Sequence, residues 1–224
     1  MINLDPLWLT AKLALITTFI LLVVSIPLCY WLCYSRFRFK AVIEALISLP
    51  LVLPPSVLGF YLLIAFSPEN AFGKFLDKNF DIRLVFTFEG LILASVLYSL
   101  PFMVNPILSG LKNLSPALQE ASFTLGKSRF TTVTKILLPN IRASLFTGII
   151  MTFAHTLGEF GVVLMVGGSI PEETKVVSIA IYEEVESMNY HNANIYAGIL
   201  FVFSFSILLA VHLINNKSRK TTLY

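Results

Sequence analysis

Apolar residues in this chain run in long uncharged blocks broken by short polar stretches. Five blocks stand out, over residues 13–35, 45–67, 90–111, 143–168 and 195–216. Each is long enough to cross roughly 30 Å of hydrocarbon, which takes about 20 helical residues. Only the fourth holds an acid, Glu159. The pattern predicts an all-α, polytopic membrane protein with five transmembrane helices. The polar break at residues 112–142 is longer than a connection needs and has its own pattern. Ser115-Pro116 is a helix-start signal, and Ala117, Leu118, Ala121, Ser122 and Leu125 recur at helical spacing. Gly126 follows, where a positive φ can end the helix. A second short helix is expected from Ser128, with Phe130, Val133, Ile136 and Leu137 on its apolar side and Pro139 as its stop.

Composition agrees with a membrane protein. Of 224 residues, 56% are hydrophobic and 13% charged, against about a quarter charged in soluble domains. Mean hydropathy is +0.80. The leader over residues 1–10 has an acid and no base, and the block is followed by Arg36, Arg38 and Lys40, which argues for a retained helix over a cleaved signal. Bases in short loops mark the cytoplasmic side. Arg36, Arg38 and Lys40, then Lys112, Lys127, Arg129, Lys135 and Arg142, then Lys217, Arg219 and Lys220 make eleven of the sixteen bases. Five spans put all of them on one side only with the N-terminus outside and the C-terminus inside. Segment 112–142 and a tail over 217–224 are then cytoplasmic, and the glutamate-rich segment 171–194 is outside. The net charge of +3 is this topological signal and gives no nucleic-acid footprint.

Several groups invite a chemical reading. Pro50, Pro54 and Pro55 remove backbone donors inside the second block, so its helix is either broken toward a cavity or kinked for packing. An intramembrane acid should face protein or water. Glu159 lies one turn after His155, and the expectation is an i, i+4 pair bracing helices around Gly158 and Gly161. On that reading Glu159→Gln lowers stability. Ser56, Ser95, Ser99, Thr152 and Thr156 are hydroxyls that either wet a path or bond to their own backbone. Cys29 and Cys33, one turn apart without further ligands, read as packing residues. No GxxxxGK[ST] phosphate loop is present, so no nucleotide site is expected on this chain, nor an enzymatic activity of its own. An intramembrane enzyme would need a denser titratable set, and a secondary transporter an internal repeat. On pattern alone, segment 112–142 is either a helix pair lying on the bilayer or a docking surface.

Glu120, Ala121, Gly126, Ile136, Leu138 and Pro139 stand at the spacing of the EAA---G---------I-LP signature, with Ser122 in place of the second Ala. In this the chain resembles the permease subunits of ABC importers. The segments LPLVLPPSVLGFYLL, GEFG with LMVGGSIPEET, and SIAIYEEVES are similar to the molybdate permease subgroup, near the sulfate and tungstate permeases. It differs in carrying His155 where the subgroup often has Arg, and in lacking the extra N-terminal span of some relatives. The resemblance implies a type I ABC importer transmembrane domain over residues 8–213, in a bacterial inner membrane. It implies that Glu120, Ala121, Ser122, Gly126, Ile136 and Pro139 couple to a separate ATPase dimer, which holds the ATP and Mg; this chain binds no cofactor. It further implies a second permease copy, an extracytoplasmic oxyanion-binding protein, and lipid around the spans. Pro54, Pro55, Ser56, Ser99, Thr156 and Glu159 are the candidates for the path or its gate.

Overall fold

The computed structural model describes residues 3–220, with side chains through Leu209. The end of the last expected span, from 210, and the tail 217–224 with Lys217, Arg219 and Lys220 therefore lie outside the described side chains. Among the described residues the chain is helical throughout, with no strand.

The long helices come from the apolar blocks. Helix α1 (Asp5–Tyr34) and helix α5 (Phe88–Lys112) are both long and apolar enough to span, as is the described part of α12 (Tyr190–Lys220). Both α1 and α5 contain interior prolines, Pro27 in α1 and Pro101 and Pro106 in α5, tolerated because neighbouring helices resatisfy freed carbonyls. Thr87 caps α5 by accepting from the Gly90 N–H at 3.2 Å. The last helix, α12, presents Phe201, Val202, Phe203 and Phe205 outward, an apolar surface with no protein against it in the isolated chain.

The second and fourth blocks do not form straight spans. Helix α2 (Lys40–Ser48) tightens into a 3₁₀ turn at Leu49–Leu51, stops, and restarts as α3 (Pro55–Phe66) at an angle of 111°. Pro54 and Pro55 lack N–H groups, so the helix cannot continue through them, and Pro55 suits the first turn of the next. The fourth block splits into α9 (Arg142–Leu157) and α10 (Gly161–Gly167), separated by Gly158–Phe160. Three helices can thus span singly, and five spans follow only if each bent pair counts as one. The bent pair that includes α9 joins it, at 81°, to the preceding segment Arg129–Asn140.

Helices α1, α5 and α9 pack as a three-helix core. At the end of this core nearest residues 112–142, Leu21, Cys29, Leu32, Met103, Val104, Ile107 and Leu111 are buried together. At the opposite end Leu13, Leu91, Val163, Val176 and Ile179 form one cluster, and Phe66, Leu84, Ala94, Val162 and Val166 another. Cys29 fits its packing role, its Sγ 3.5 Å from the Val104 carbonyl. Three shorter helices complete that opposite end: α4 (Ala71–Phe80), α10, and α11 (Val177–Glu186). The first N–H of α11 is capped from far along the chain, Val177 donating to Thr10 Oγ1 at 2.8 Å.

Candidate functional site

The polar break folds as an elbow. Its first arm is α6 (Pro116–Thr124). Its second is α7 (Arg129–Thr132), a π turn over Val133–Leu137, and α8 (Leu138–Asn140). Ser115 occupies the N-cap position of α6 without a side-chain cap bond, whereas Ser128 does cap α7, accepting from the Thr131 N–H at 3.2 Å. Gly126 joins the arms at φ +70°, a left-handed conformation open to glycine at little cost, and nothing lies within 4 Å of where its Cβ would be. The arms are closed on one another by the hydroxyls of Ser122 and Thr132, 2.8 Å apart and both buried.

Two expectations for this segment are corrected. Pro139 does not stop the second helix, which continues to Asn140 and ends at Ile141. The π turn before it widens the helix, and such widened turns relieve the clash between a proline ring and the carbonyl one turn back. Phe130 does not join the apolar side with Leu137. Leu137 is fully buried against the core, but Phe130 is 78% exposed and Leu125, across the glycine turn, 75% exposed. Two large apolar side chains at the tip of a polar loop, beside exposed Glu120 and Ala121, form a surface suited to a protein partner. Phe130 stands between Arg129 and two threonines, the one sequence hint that it faces out.

The structure brings together some of the intramembrane candidates and separates others. Ser99 Oγ lies 2.9 Å from His155 Nδ1 and 3.1 Å from Thr156 Oγ1. The His155 ring also stacks on Phe102 at 3.9 Å and meets Tyr98 at 4.7 Å. These contacts fasten α9 to α5. Thr156 in addition donates to the Thr152 carbonyl at 3.0 Å, the local bond its residue type favours.

The expected His155–Glu159 pair is not formed. Helix α9 ends at Leu157, so the i, i+4 geometry is lost before Glu159 is reached. The Glu159 side chain is 4% exposed and neither carboxylate oxygen has a hydrogen-bond partner. Ser95 is its near neighbour on α5, but the two close no bond of good geometry, and Ser95 Oγ is itself without a partner. What holds this stretch is backbone: the Glu159 carbonyl accepts from Ser178 Oγ of α11 at 2.6 Å. Sequence reading missed Ser178, which lies nineteen residues further along the chain.

Both helix breaks meet. A Cβ on Gly161 would sit 2.8 Å from Pro55 Cβ, and one on Gly59 would sit 2.8 Å from Met165 Cβ. Helices α3 and α10 therefore cross with almost no side chain between them, as small residues permit in membranes. Pro54, Pro55 and Ser56 are exposed at this crossing, whereas Ser99 and Thr156 are buried and His155 half-buried. The candidates for a path thus fall into an open set at the α2–α3 break and an enclosed set between α5 and α9. Among the described residues no cluster of three His, Cys, Asp or Glu side chains is arranged to hold a metal.

Residues 25–220 match the model of a family described as the binding-protein-dependent transport system inner membrane component. The chain is 43% identical over 210 residues to the molybdenum transport system permease protein ModB of Azotobacter vinelandii, covering 94% of this chain and 93% of that one. It is 32% identical over 185 residues to the sulfate transport system permease protein CysT of Escherichia coli K12, covering 82% of this chain and 66% of that protein. Among solved structures it resembles a chain of the MetNI methionine ABC transporter (TM-score 0.73, 17% identity, 95% of this chain and 94% of the other). A bacterial ABC transporter that imports alginate is similarly close (TM-score 0.75, 18% identity, 97% and 79%). These structural likenesses bear on the fold.

Proposed function

The chain belongs to the binding-protein-dependent transport inner membrane component family, and from that premise we propose that it is the permease through which an ABC importer takes up molybdate. That it is a multi-pass inner membrane protein and an importer permease subunit follows from the family. The cargo is the further step, and the observation that carries it is the 43% identity to a molybdenum permease across nearly the whole of both chains. A second reading, sulfate, rests on the 32% identity to CysT proteins.

In this reading the N-terminus is outside, and the elbow is cytoplasmic and seats in a groove of a separate ATPase. Leu125 and Phe130 are its apolar anchors, with Glu120 and Ala121 beside them on the docking helix; Gly126 keeps the turn, Ser122 closes the arms on each other through Thr132, and Ile136 and Pro139 belong to the second arm. ATP and Mg belong to that ATPase. Two copies of this chain face one another across the α2–α3 break, where Leu49, Leu51, Val52, Phe60 and Tyr61 are exposed in the single chain. Molybdate, released outside by a binding protein, passes the break beside Pro54, Pro55 and Ser56. Ser56 offers a hydroxyl there, and such a weakly polar lining lets a dianion pass without holding it. Buried Ser99 and Thr156 and half-buried His155 brace the wall behind, and Glu159 is enclosed so that its carboxyl does not face the cargo.

The test is uptake by the assembled transporter in proteoliposomes with its binding protein and ATPase. Labelled molybdate should accumulate on addition of ATP and compete weakly with sulfate. Preferential sulfate uptake would replace the molybdate reading with the second one, and no ATP-dependent uptake of either would sink both.

A further inference from the structure

The elbow is fixed to the membrane helices in two different ways. Its second arm is held by apolar packing, with Leu137 fully buried against Leu32, Ile107 and Leu111. The first arm, α6, buries only Ser122, and that residue bonds to the elbow's own second arm. Among the described residues, α6 makes one side-chain hydrogen bond to a spanning helix. Gln119 Nε2 donates to the Tyr30 hydroxyl of α1 at 3.1 Å.

The position of this bond is what gives it consequence. Gln119 directly precedes Glu120 and Ala121, and on a helix it points about 160° from Ala121. Ala117, Ala121 and Leu125 recur at four-residue intervals and are exposed, while Gln119 is half-buried against the bundle. A load applied to the outer stripe of α6 therefore passes through Gln119 to Tyr30. The Tyr30 ring is itself seated, packing on the core cluster and against Tyr34 at 5.0 Å. It lies three residues beyond Pro27, the interior proline of α1, and helices bend most readily at proline. Above that point all three core helices carry buried hydroxyls that have no hydrogen-bond partner, Thr17, Thr18 and Ser25 on α1, Ser95 on α5 and Thr152 on α9. Hydroxyls without a fixed partner let packed helices shift with no bond to break.

We propose that the Gln119–Tyr30 hydrogen bond is a transmission strut, carrying displacement of the elbow's first arm into α1 and bending α1 about Pro27. Both are positioning residues that act through α1. The proposal rests on the importer reading above.

Two variants remove the bond and keep the shapes: Tyr30→Phe retains the ring, and Gln119→Met retains the stem. The assembled, reconstituted transporter gives three readouts: oxyanion taken up per ATP hydrolysed, stimulation of ATP hydrolysis by loaded binding protein, and thermal stability with subunit ratio. Each single variant should lower uptake per ATP about fivefold, the scale of one net hydrogen bond, with stability and subunit ratio unchanged. The double variant should be no worse than either single one. Glu44→Gln breaks the exposed Lys112–Glu44 pair (2.9 Å) at the same end of the bundle and should leave coupling intact. Wild-type coupling in Tyr30→Phe and Gln119→Met would overturn the strut, as would effects that multiply in the double variant. Loss of assembly in both variants would also overturn it, by showing a structural bond. Failure of the wild-type transporter to take up any oxyanion counts against the importer reading instead.

Discussion

The elbow and the paired helix breaks are both interruptions of helix, yet they are built in opposite ways. The elbow keeps its polar groups satisfied, by Ser128 on the Thr131 N–H and Ser122 on Thr132, and exposes large apolar side chains at its tip. At the α9–α10 break Glu159 is buried without a hydrogen-bond partner, near the likewise unpartnered Ser95 of α5, while the α2–α3 break leaves Pro54, Pro55 and Ser56 exposed. A surface with satisfied backbone and exposed apolar anchors is made to bind a partner and move as a unit. A buried polar group without a partner is costly, so fewer fixed bonds hold this region in one arrangement. In the proposed reading, force enters at the elbow and geometry yields at the break.

The strongest way to break that contrast is at the turn of the elbow. Gly126→Trp places a large side chain at a left-handed position that costs roughly 1–2 kcal/mol for any residue with a Cβ. Its Cβ enters open space, with nothing of the chain within 4 Å of that atom. Uptake should fall at least tenfold, the equivalent of about 1.4 kcal/mol, while the permease still folds and inserts. Gly126→Ala, with the same backbone strain and little bulk, separates the two causes and should keep most of the uptake. Normal transport by the Trp variant would remove the elbow from the coupling path.

Two stability effects of opposite sign, one turn apart, test the region of the α9–α10 break. His155→Ala removes the hydrogen bond to Ser99 and the stack on Phe102 and should cost about 2–3 kcal/mol. Glu159→Gln replaces a buried carboxyl that has no partner, keeps the backbone bond to Ser178, and should leave melting temperature unchanged or raised. This reverses the loss expected if Glu159 were paired with His155. A clear drop in melting temperature for Glu159→Gln would mean that the carboxylate has a partner in the working complex.

How much of this could be read from residues depends on distance along the chain. The elbow was legible because its signals are local: Ser-Pro starts α6, Gly126 turns, Ser128 restarts. The bend at Pro54-Pro55 was legible as a choice between break and kink, which a missing N–H announces without giving an angle. The exposed Phe130 was not, since helical spacing alone grouped it with the buried Leu137. The His155–Glu159 pairing failed because i, i+4 reasoning presumes an unbroken helix, and Gly158 ends it. Ser178, Thr10 and Tyr30 make their decisive bonds to residues 19, 167 and 89 positions away, beyond any periodicity.

The smallest effect concerns α11, the helix that Ser178 ties to the Glu159 break. Its acids lie on the outer side in the proposed topology, and there Glu183 forms an ion pair with Lys175. Partial burial pushes the Glu183 carboxyl up, but the hydrogen bond and charge of Lys175 outweigh it and hold the group below its ordinary 4.5. A carboxyl depressed in the folded state contributes stability at pH above its unfolded value, and loses that contribution as pH falls through the folded one. Acidification below about pH 4.5 should therefore weaken the seat of α11 slightly. Both partners are partly exposed, so solvent screening limits the pair to under about 1 kcal/mol. Glu183→Gln should abolish that acid-dependent component and barely change melting at neutral pH. If Glu183→Gln instead impairs uptake as much as Gly126→Trp does, force also enters from the outer side, and the division between a driven elbow and a yielding break needs a second input.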